Sequence, residues 1–199
     1  MVLPHSFYNR PDVVGIAREL LGKYLCTRFD GVVTAGMITE TEAYAGVIDK
    51  ASHAWNGRRT ARTEIMYRRA GTAYVYLCYG IHSLFNVVTN REGIPHAILI
   101  RAIISSEGRA TMMQRMGKTK PGDGLISGPG KVTRALGIHY AMTGADLTRE
   151  PSGRKEDGIW IEDRKTDLSE YTIEATPRIG VDYAGEDATL PYRFLLSKK

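Results

Sequence analysis

Between residues 39 and 44 two kinds of side chain alternate. Thr39, Thr41 and Ala43 take one face of a strand, and Glu40, Glu42 and Tyr44 take the other. The strand spans 32–44, and 24–29 is its hairpin partner, with Asp30-Gly31 as the tight turn. Upstream, Val13, Ala17, Leu20 and Tyr24 recur at helical spacing. Pro11 and Asp12 suit the first turn of that helix, and Gly22 suits its stop. In 71–86, Tyr74 and Tyr76 share one strand face, and Val75 and Leu77 the other. Tyr79-Gly80 then turns the chain, which puts Tyr79 at an exposed tip ahead of Ile81 and His82. Further strands are predicted over 84–89 and 97–103, joined by a turn near 90–93, and over 158–162, 171–175 and 192–196. A helix is predicted over 107–116. A second helix opens from Ser127-Gly128-Pro129-Gly130-Lys131, runs to Leu136 and is closed by Gly137.

Composition changes little in this picture. A chain of 199 residues, 43% hydrophobic and 25% charged, is long enough for a real core and is expected to form one globular domain. No apolar run approaches membrane-spanning length, and residues 1–10 lack the apolar core of a signal peptide. Two cysteines, Cys26 and Cys78, make no disulfide framework, so a reducing cytoplasm is expected. The charge distribution is more telling. The net charge is +5, yet residues 1–139 carry 18 Lys and Arg against 10 Asp and Glu, and residues 140–199 carry 9 against 12. A basic face suggests a polyanionic partner. Five arginines between 58 and 69, with Glu64 as the one acid, read as a loop entering a short helix. The planar fork of arginine matches phosphate oxygens, so Arg58, Arg59 and Arg62 are candidate phosphate contacts. The Gly-rich stretch 118–130, with Lys118, Lys120 and Lys131 on or beside it, leads into a helix N-terminus that favours anions.

Two acids at i and i+2 on one strand face repel, and they need a cation nearby or a raised pKa. Arg101 interrupts the apolar run 97–100, and Glu42 is the acid expected to pair with it. Other machineries lack their residues. The histidines and cysteines have no metal-ligand spacing, and no G-x-S-x-G or G-x-G-x-x-G is present. The 125–132 segment has Leu125 and Val132 where a phosphate-binding P-loop needs Gly and Ser or Thr. What remains is a lone carboxylate on a basic, tyrosine-rich surface. Glutamate can deprotonate water, an anionic pocket can stabilise an oxocarbenium ion, and tyrosines can stack on a planar base. A tip aromatic such as Tyr79 can wedge into a base stack. These parts together describe removal of a base from DNA. Two rivals use some of the same features. A non-catalytic basic nucleic-acid-binding module leaves Glu42 beside Arg101 without a task, and a hydrolase of free nucleosides leaves Tyr79 and the arginine run unused.

Five segments carry a resemblance: Thr39-Glu40-Thr41-Glu42-Ala43-Tyr44; 71–80 with its Tyr-Val-Tyr-x-x-Tyr-Gly core; Leu99-Ile100-Arg101-Ala102; Ser127-Gly128-Pro129-x-Lys131; and Arg178-Ile179-Gly180-Val181. In order, over about residues 3–196, they resemble the alkyladenine DNA glycosylase family, the methylpurine or 3-methyladenine type, in its compact bacterial form. The resemblance implies an α+β fold, a single compact domain over 1–199 with a curved, mainly antiparallel β-sheet surrounded by helices. It implies a monofunctional glycosylase acting on double-stranded DNA, without cofactor or metal, in the bacterial cytoplasm; monomer is the simplest reading. The substrates would be damaged purines of the 3-methyladenine, 7-methylguanine, hypoxanthine and ethenoadenine class. Glu42 matches the base that activates water. Arg101 and the backbone carbonyl of Ile179 match groups that orient it. Tyr44 and His53 match the residues that sandwich the flipped base, Tyr76 a third wall, and Asn86 a residue that disfavours the amine of normal guanine. Tyr79 matches the side chain that fills the gap in the duplex, and Lys131 a phosphate contact. His53 or a water is the candidate proton donor to a neutral leaving base. Tyr74 is read as core, and Glu40 as a neighbour as readily paired as catalytic.

Overall fold

The computed structural model describes residues 1–118, 122, 124–153 and 155–199; Lys120 of the glycine-rich stretch lies outside the described residues. Two short helices, α1 (His5–Tyr8) and α2 (Val13–Glu19), precede the strands β1 (Tyr24–Phe29), β2 (Val32–Tyr44), β3 (Ala73–Cys78), β4 (His82–Thr89) and β5 (His96–Glu107). There follow α3 (Arg109–Arg115), β6 (Leu125–Ser127), α4 (Pro129–Leu136), β7 (Gly158–Glu162), β8 (Tyr171–Thr176) and β9 (Arg193–Lys198). All nine strands join one antiparallel sheet whose main path is β3-β4-β5-β2-β1-β7. β6 is added to β5, and β9 links β2 to β8. The mixed helix and curled-sheet architecture is the one expected from the sequence.

β2 is the axis of the fold. Its first half pairs with β1 across a hairpin turn in which both Asp30 (φ 53°) and Gly31 (φ 75°) are left-handed. Its second half pairs with β9 through Glu40, Thr41 and Glu42. Opposite, its register against β5 shifts at Ala35/Gly36, Ile38/Glu40 and Glu40/Thr41. Such bulges bend and twist a strand, and here they curl the sheet around its two acids.

The alternation read from the sequence divides the two faces of the sheet. One face is the core: Ala43, Val75, Phe85, Val87, Ile98 and Ile100 are buried with Ile16 and Leu20 of the α2 segment and Val132, Ala135 and Leu136 of α4. Thr41 on that face donates to the Ala17 carbonyl at 2.8 Å. The other face carries Glu42, Tyr44, Tyr74, Tyr76, Asn86 and Leu99. The register sets Tyr74, Asn86, Leu99 and Glu42 side by side across β3, β4, β5 and β2.

Several boundaries depart from those predicted, most of them by one or two residues. The strand predicted over 97–103 continues to Glu107, and the helix predicted from 107 begins only at Arg109. Ile103 and Ile104 are held between β2 and β6, and Gly108 (φ 66°) makes the turn. A side chain there would meet the Val33 carbonyl oxygen at 2.3 Å. The helix that the sequence stops at Gly22 ends at Glu19. Leu125–Ser127, inside the glycine-rich stretch, is a strand. No helix among the described residues is long and apolar enough to cross a membrane.

Candidate active site

The polar face of the sheet forms the floor of a cavity of about 510 Å³, within the range of small-molecule sites. Tyr44, His53, Arg62, Tyr74, Tyr76, Tyr79, Asn86, Arg101, Ile179 and Tyr183 are among its lining residues. Glu42 lies immediately behind this wall. Its carboxylate is fully buried and accepts from three directions. The Tyr44 hydroxyl donates to Oε2 at 2.8 Å, the Ile179 backbone N–H donates to Oε1 at 2.8 Å, and Arg101 approaches the two oxygens at 3.4 and 3.5 Å. Burial of an ionised carboxylate is tolerated only with such partners.

Arg101 does pair with Glu42, as expected, but its closer partner is Glu40, at 2.9 Å. Arg193 reaches the same Glu40 oxygen at 2.7 Å. The repulsion foreseen between the two acids is therefore relieved by two guanidinium groups, and Glu40 is a paired neighbour. Ile179 contributes through its N–H here, whereas the family resemblance implies a role for its carbonyl. No sequence pattern encodes a backbone donor of this kind.

The aromatic walls are fixed by contacts to one another. His53 Nδ1 lies 2.8 Å from the Tyr74 hydroxyl, and its ring meets Tyr76 edge-on at 4.7 Å. Tyr74 is buried, in keeping with its reading as core, yet its hydroxyl also braces the site. Asn86 is buried, and its amide donates to the Tyr74 and Leu84 carbonyls at 3.2 and 3.3 Å. Tyr79 (φ 51°) and Gly80 (φ 73°) form the turn between β3 and β4, and Tyr79 is 92% exposed at the cavity rim. Burial, together with Glu42, holds the Tyr44 hydroxyl well above the usual range, so it remains a donor.

The phosphate candidates are less closely grouped. Arg62 lines the cavity mouth with its guanidinium 5.7 Å from the Tyr76 ring centre, and Arg58 lines an adjoining cleft with His53. Arg59 is held by Glu64 through two 2.7 Å hydrogen bonds. Lys131 is exposed in the first turn of α4 and does not line the cavity.

Burial, with Arg62 and Arg58 nearby, lowers the His53 pKa from 6.5 to about 4. His53 is thus neutral at physiological pH. Between pH 4 and 6.5 the unfolded chain binds a proton at this residue that the folded chain refuses, so stability rises with pH across that window. A shift of that size is worth at most about 3 kcal/mol. Urea midpoints of wild type are expected to fall from pH 6.5 to pH 4, and His53→Gln to flatten that slope. His96, also lowered by burial, and carboxylates held low by their hydrogen bonds, Glu156 among them, account for a remaining slope. An equal slope in His53→Gln would show that His53 is not the group responsible.

The profile of the methylpurine-DNA glycosylase family matches residues 6–199. The chain is 47% identical over 199 residues to the "Putative 3-methyladenine DNA glycosylase" of Chlamydia felis, covering all of this chain and 97% of that one. It is 44% identical to the protein of the same name in Methanocella arvoryzae, over 97% of this chain and 91% of that one. With the Bacillus cereus strain B4264 protein, again of that name, identity is 42% over 98% and 95% of the two chains. The class is therefore a DNA glycosylase, an enzyme that hydrolyses N-glycosidic bonds. Within that class, the chain belongs to the methylpurine-DNA glycosylase family. The non-catalytic module considered from the sequence is set aside by this membership.

Proposed function

We propose that this enzyme, acting as a monomer, flips a damaged purine out of duplex DNA into the aromatic cavity and hydrolyses its glycosidic bond with a water activated by Glu42. The observation that carries the reading is a fully buried carboxylate, held by Tyr44, Arg101 and the Ile179 N–H, immediately behind the wall of a cavity lined by tyrosines. Arg58, Arg59, Arg62 and Lys131 supply contacts to phosphate without reading sequence, and binding of this kind weakens steeply with salt. Arg59 takes part through whichever donors its bond to Glu64 leaves unused. Tyr79 enters the minor groove and fills the gap. Flipping costs a few kcal/mol and least for a poorly paired base, which is itself a filter. Tyr44, His53 and Tyr76 wall the base, and each good stack returns about 1–3 kcal/mol. Asn86 is tied to two carbonyls and cannot swing aside for the exocyclic amine of guanine.

Alkylation at N3 or N7 makes the purine cationic, so it leaves without further protonation. Hypoxanthine and ethenoadenine are neutral and need a proton on the leaving base. His53, neutral at physiological pH, is a poor source of it, which leaves a water. Glu42 takes a proton from the attacking water as the water's oxygen bonds to C1′ and the C1′–N bond breaks. The Arg101 guanidinium, and the Ile179 carbonyl as the resemblance suggested, orient that water. The products are the free base and an abasic site.

No lysine among the described residues lines the cavity, so no Schiff base forms. Borohydride added during turnover is expected to trap nothing; a covalent protein–DNA adduct would contradict this. Tyr79→Ala leaves the fold unchanged, because the side chain is exposed. It is expected to weaken binding of a lesion duplex about tenfold or more, in line with loss of one stacking contact. Equal affinity of variant and parent would remove Tyr79 from the flipping step.

A further inference from the structure

One buried ion pair behind the cavity has no part in the chemistry above. Arg178 and Asp49 are 0% and 1% exposed at their side chains. The guanidinium binds the carboxylate through two hydrogen bonds, 2.5 and 2.9 Å, and also donates to the Ala43 and Asp187 carbonyls at 2.9 and 3.1 Å. Asp49 in turn accepts from the Ala45 and Ala51 N–H groups. The pair therefore ties together the end of β2, the loop that leads to His53, and the segment whose next residue, Ile179, donates to Glu42. Its position is unusual in another respect. The Arg178 guanidinium carbon lies 4.9 Å from the centre of the Tyr44 ring, yet Arg178 does not reach the cavity, so it covers that ring from behind.

A ring covered by a bare cation is a poor partner for a second cation on its other face. A base stacked about 3.5 Å in front of Tyr44 places its charge roughly 8 Å from the guanidinium. At an effective dielectric of about 20, like unit charges at that distance alter binding by about thirtyfold. Asp49 cancels the guanidinium charge at its source. The remaining buried charges beneath the cavity are balanced in the same way, Arg101 and Arg193 against Glu40 and Glu42. Among the described residues, Arg62 is the cation left at the mouth, beside Tyr76.

We propose that Asp49 is a specificity-determining residue: by neutralising Arg178 behind Tyr44, it keeps the cavity face of that ring open to cationic purines. The inference rests on the reading of Tyr44 as a stacking wall. Its test uses equilibrium affinities in a Glu42→Gln background, with identical duplexes carrying 7-methylguanine (cationic), hypoxanthine (neutral) or guanine. Asp49→Asn unmasks a cation behind the ring and is expected to lower the ratio of 7-methylguanine to hypoxanthine affinity tenfold or more. Arg178→Gln leaves an anion there and is expected to raise the same ratio. The opposite signs let either variant carry the test if the other is too unstable. The double variant, which buries neither charge, is expected to keep the parental ratio and folds without an unpaired ion. A purely structural pair would weaken both lesions equally, so unchanged ratios, or ratios that move the same way in both single variants, would overturn the proposal. A double variant far from the parental ratio would overturn it as well. If the parent binds neither lesion more tightly than guanine duplex, the stacking reading itself fails, and this inference with it.

Discussion

Glu42→Gln is expected to bind lesion duplex within a few-fold of wild type while losing excision by roughly 10²–10⁴-fold, the usual worth of a general base. The amide is nearly isosteric. Its oxygen can still accept from the Ile179 N–H, and the Tyr44 hydroxyl can rotate to accept from its nitrogen. Arg101 keeps its 2.9 Å bond to Glu40, a carboxylate it then shares with Arg193. The structure around the base is thus preserved, and what disappears is the capacity to take a proton. Single-turnover excision at saturating enzyme, beside a gel-shift titration of the same duplex, separates the two effects. Loss of binding in proportion to rate would mean that Glu42 supports the cavity and does not act as base.

Arg101→Met is expected to be damaging in a different way. Arg101 is the one cation among the described residues that touches both Glu40 and Glu42. Its removal leaves Glu42 fully buried without an ionic partner, and leaves Glu40 to Arg193 alone. Removing one member of a buried ionic cluster costs about 3–5 kcal/mol. The urea midpoint should drop accordingly, and excision should fall even in the fraction that remains folded. Arg101→Lys restores the charge without the planar fork, so stability should recover further than activity. A midpoint for Arg101→Met within error of wild type would show that Arg193 suffices to balance both acids.

The parts of the site that lie on regular strands were legible in the sequence, because a strand fixes which side chains share a face. Glu40, Glu42 and Tyr44 point one way while Thr41 and Ala43 point to the core, and Leu99 and Arg101 oppose Ile98 and Ile100. The β3–β4 turn was legible because Tyr79-Gly80 offers few alternatives. What escaped the reading depends on distance along the chain or on backbone groups. Arg178 and Asp49 meet across 129 positions, and Arg193 and Glu40 across 153. Neither arginine sits in a pattern that names its partner. The Ile179 N–H bonds to Glu42 through a group every residue except proline possesses. The extension of β5 to Glu107 follows from pairing with two other strands and from the turn at Gly108, so tertiary contacts decide it. Tyr74 shows why core and site are not exclusive. Its ring is buried, and its hydroxyl still reaches His53.

Neutrality links these observations. His53 is held uncharged, Arg178 is masked by Asp49, and Arg101 and Arg193 are offset by Glu40 and Glu42. With Arg62 at the mouth as the exception, a cavity whose buried charges are balanced and which has one carboxylate behind its wall suits a positively charged base and the oxocarbenium character that develops as it leaves.

The most direct measurement is single-turnover incubation of the wild-type enzyme with duplexes carrying 7-methylguanine, hypoxanthine or ethenoadenine, scored for both free base and alkali-labile strand cleavage. Release of free base in equal amount to abasic sites, from one or more of these duplexes and not from undamaged DNA, is the expected result. Tight binding of all three duplexes with no base released from any of them would contradict the assignment of Glu42 as the catalytic base of a damaged-purine glycosylase.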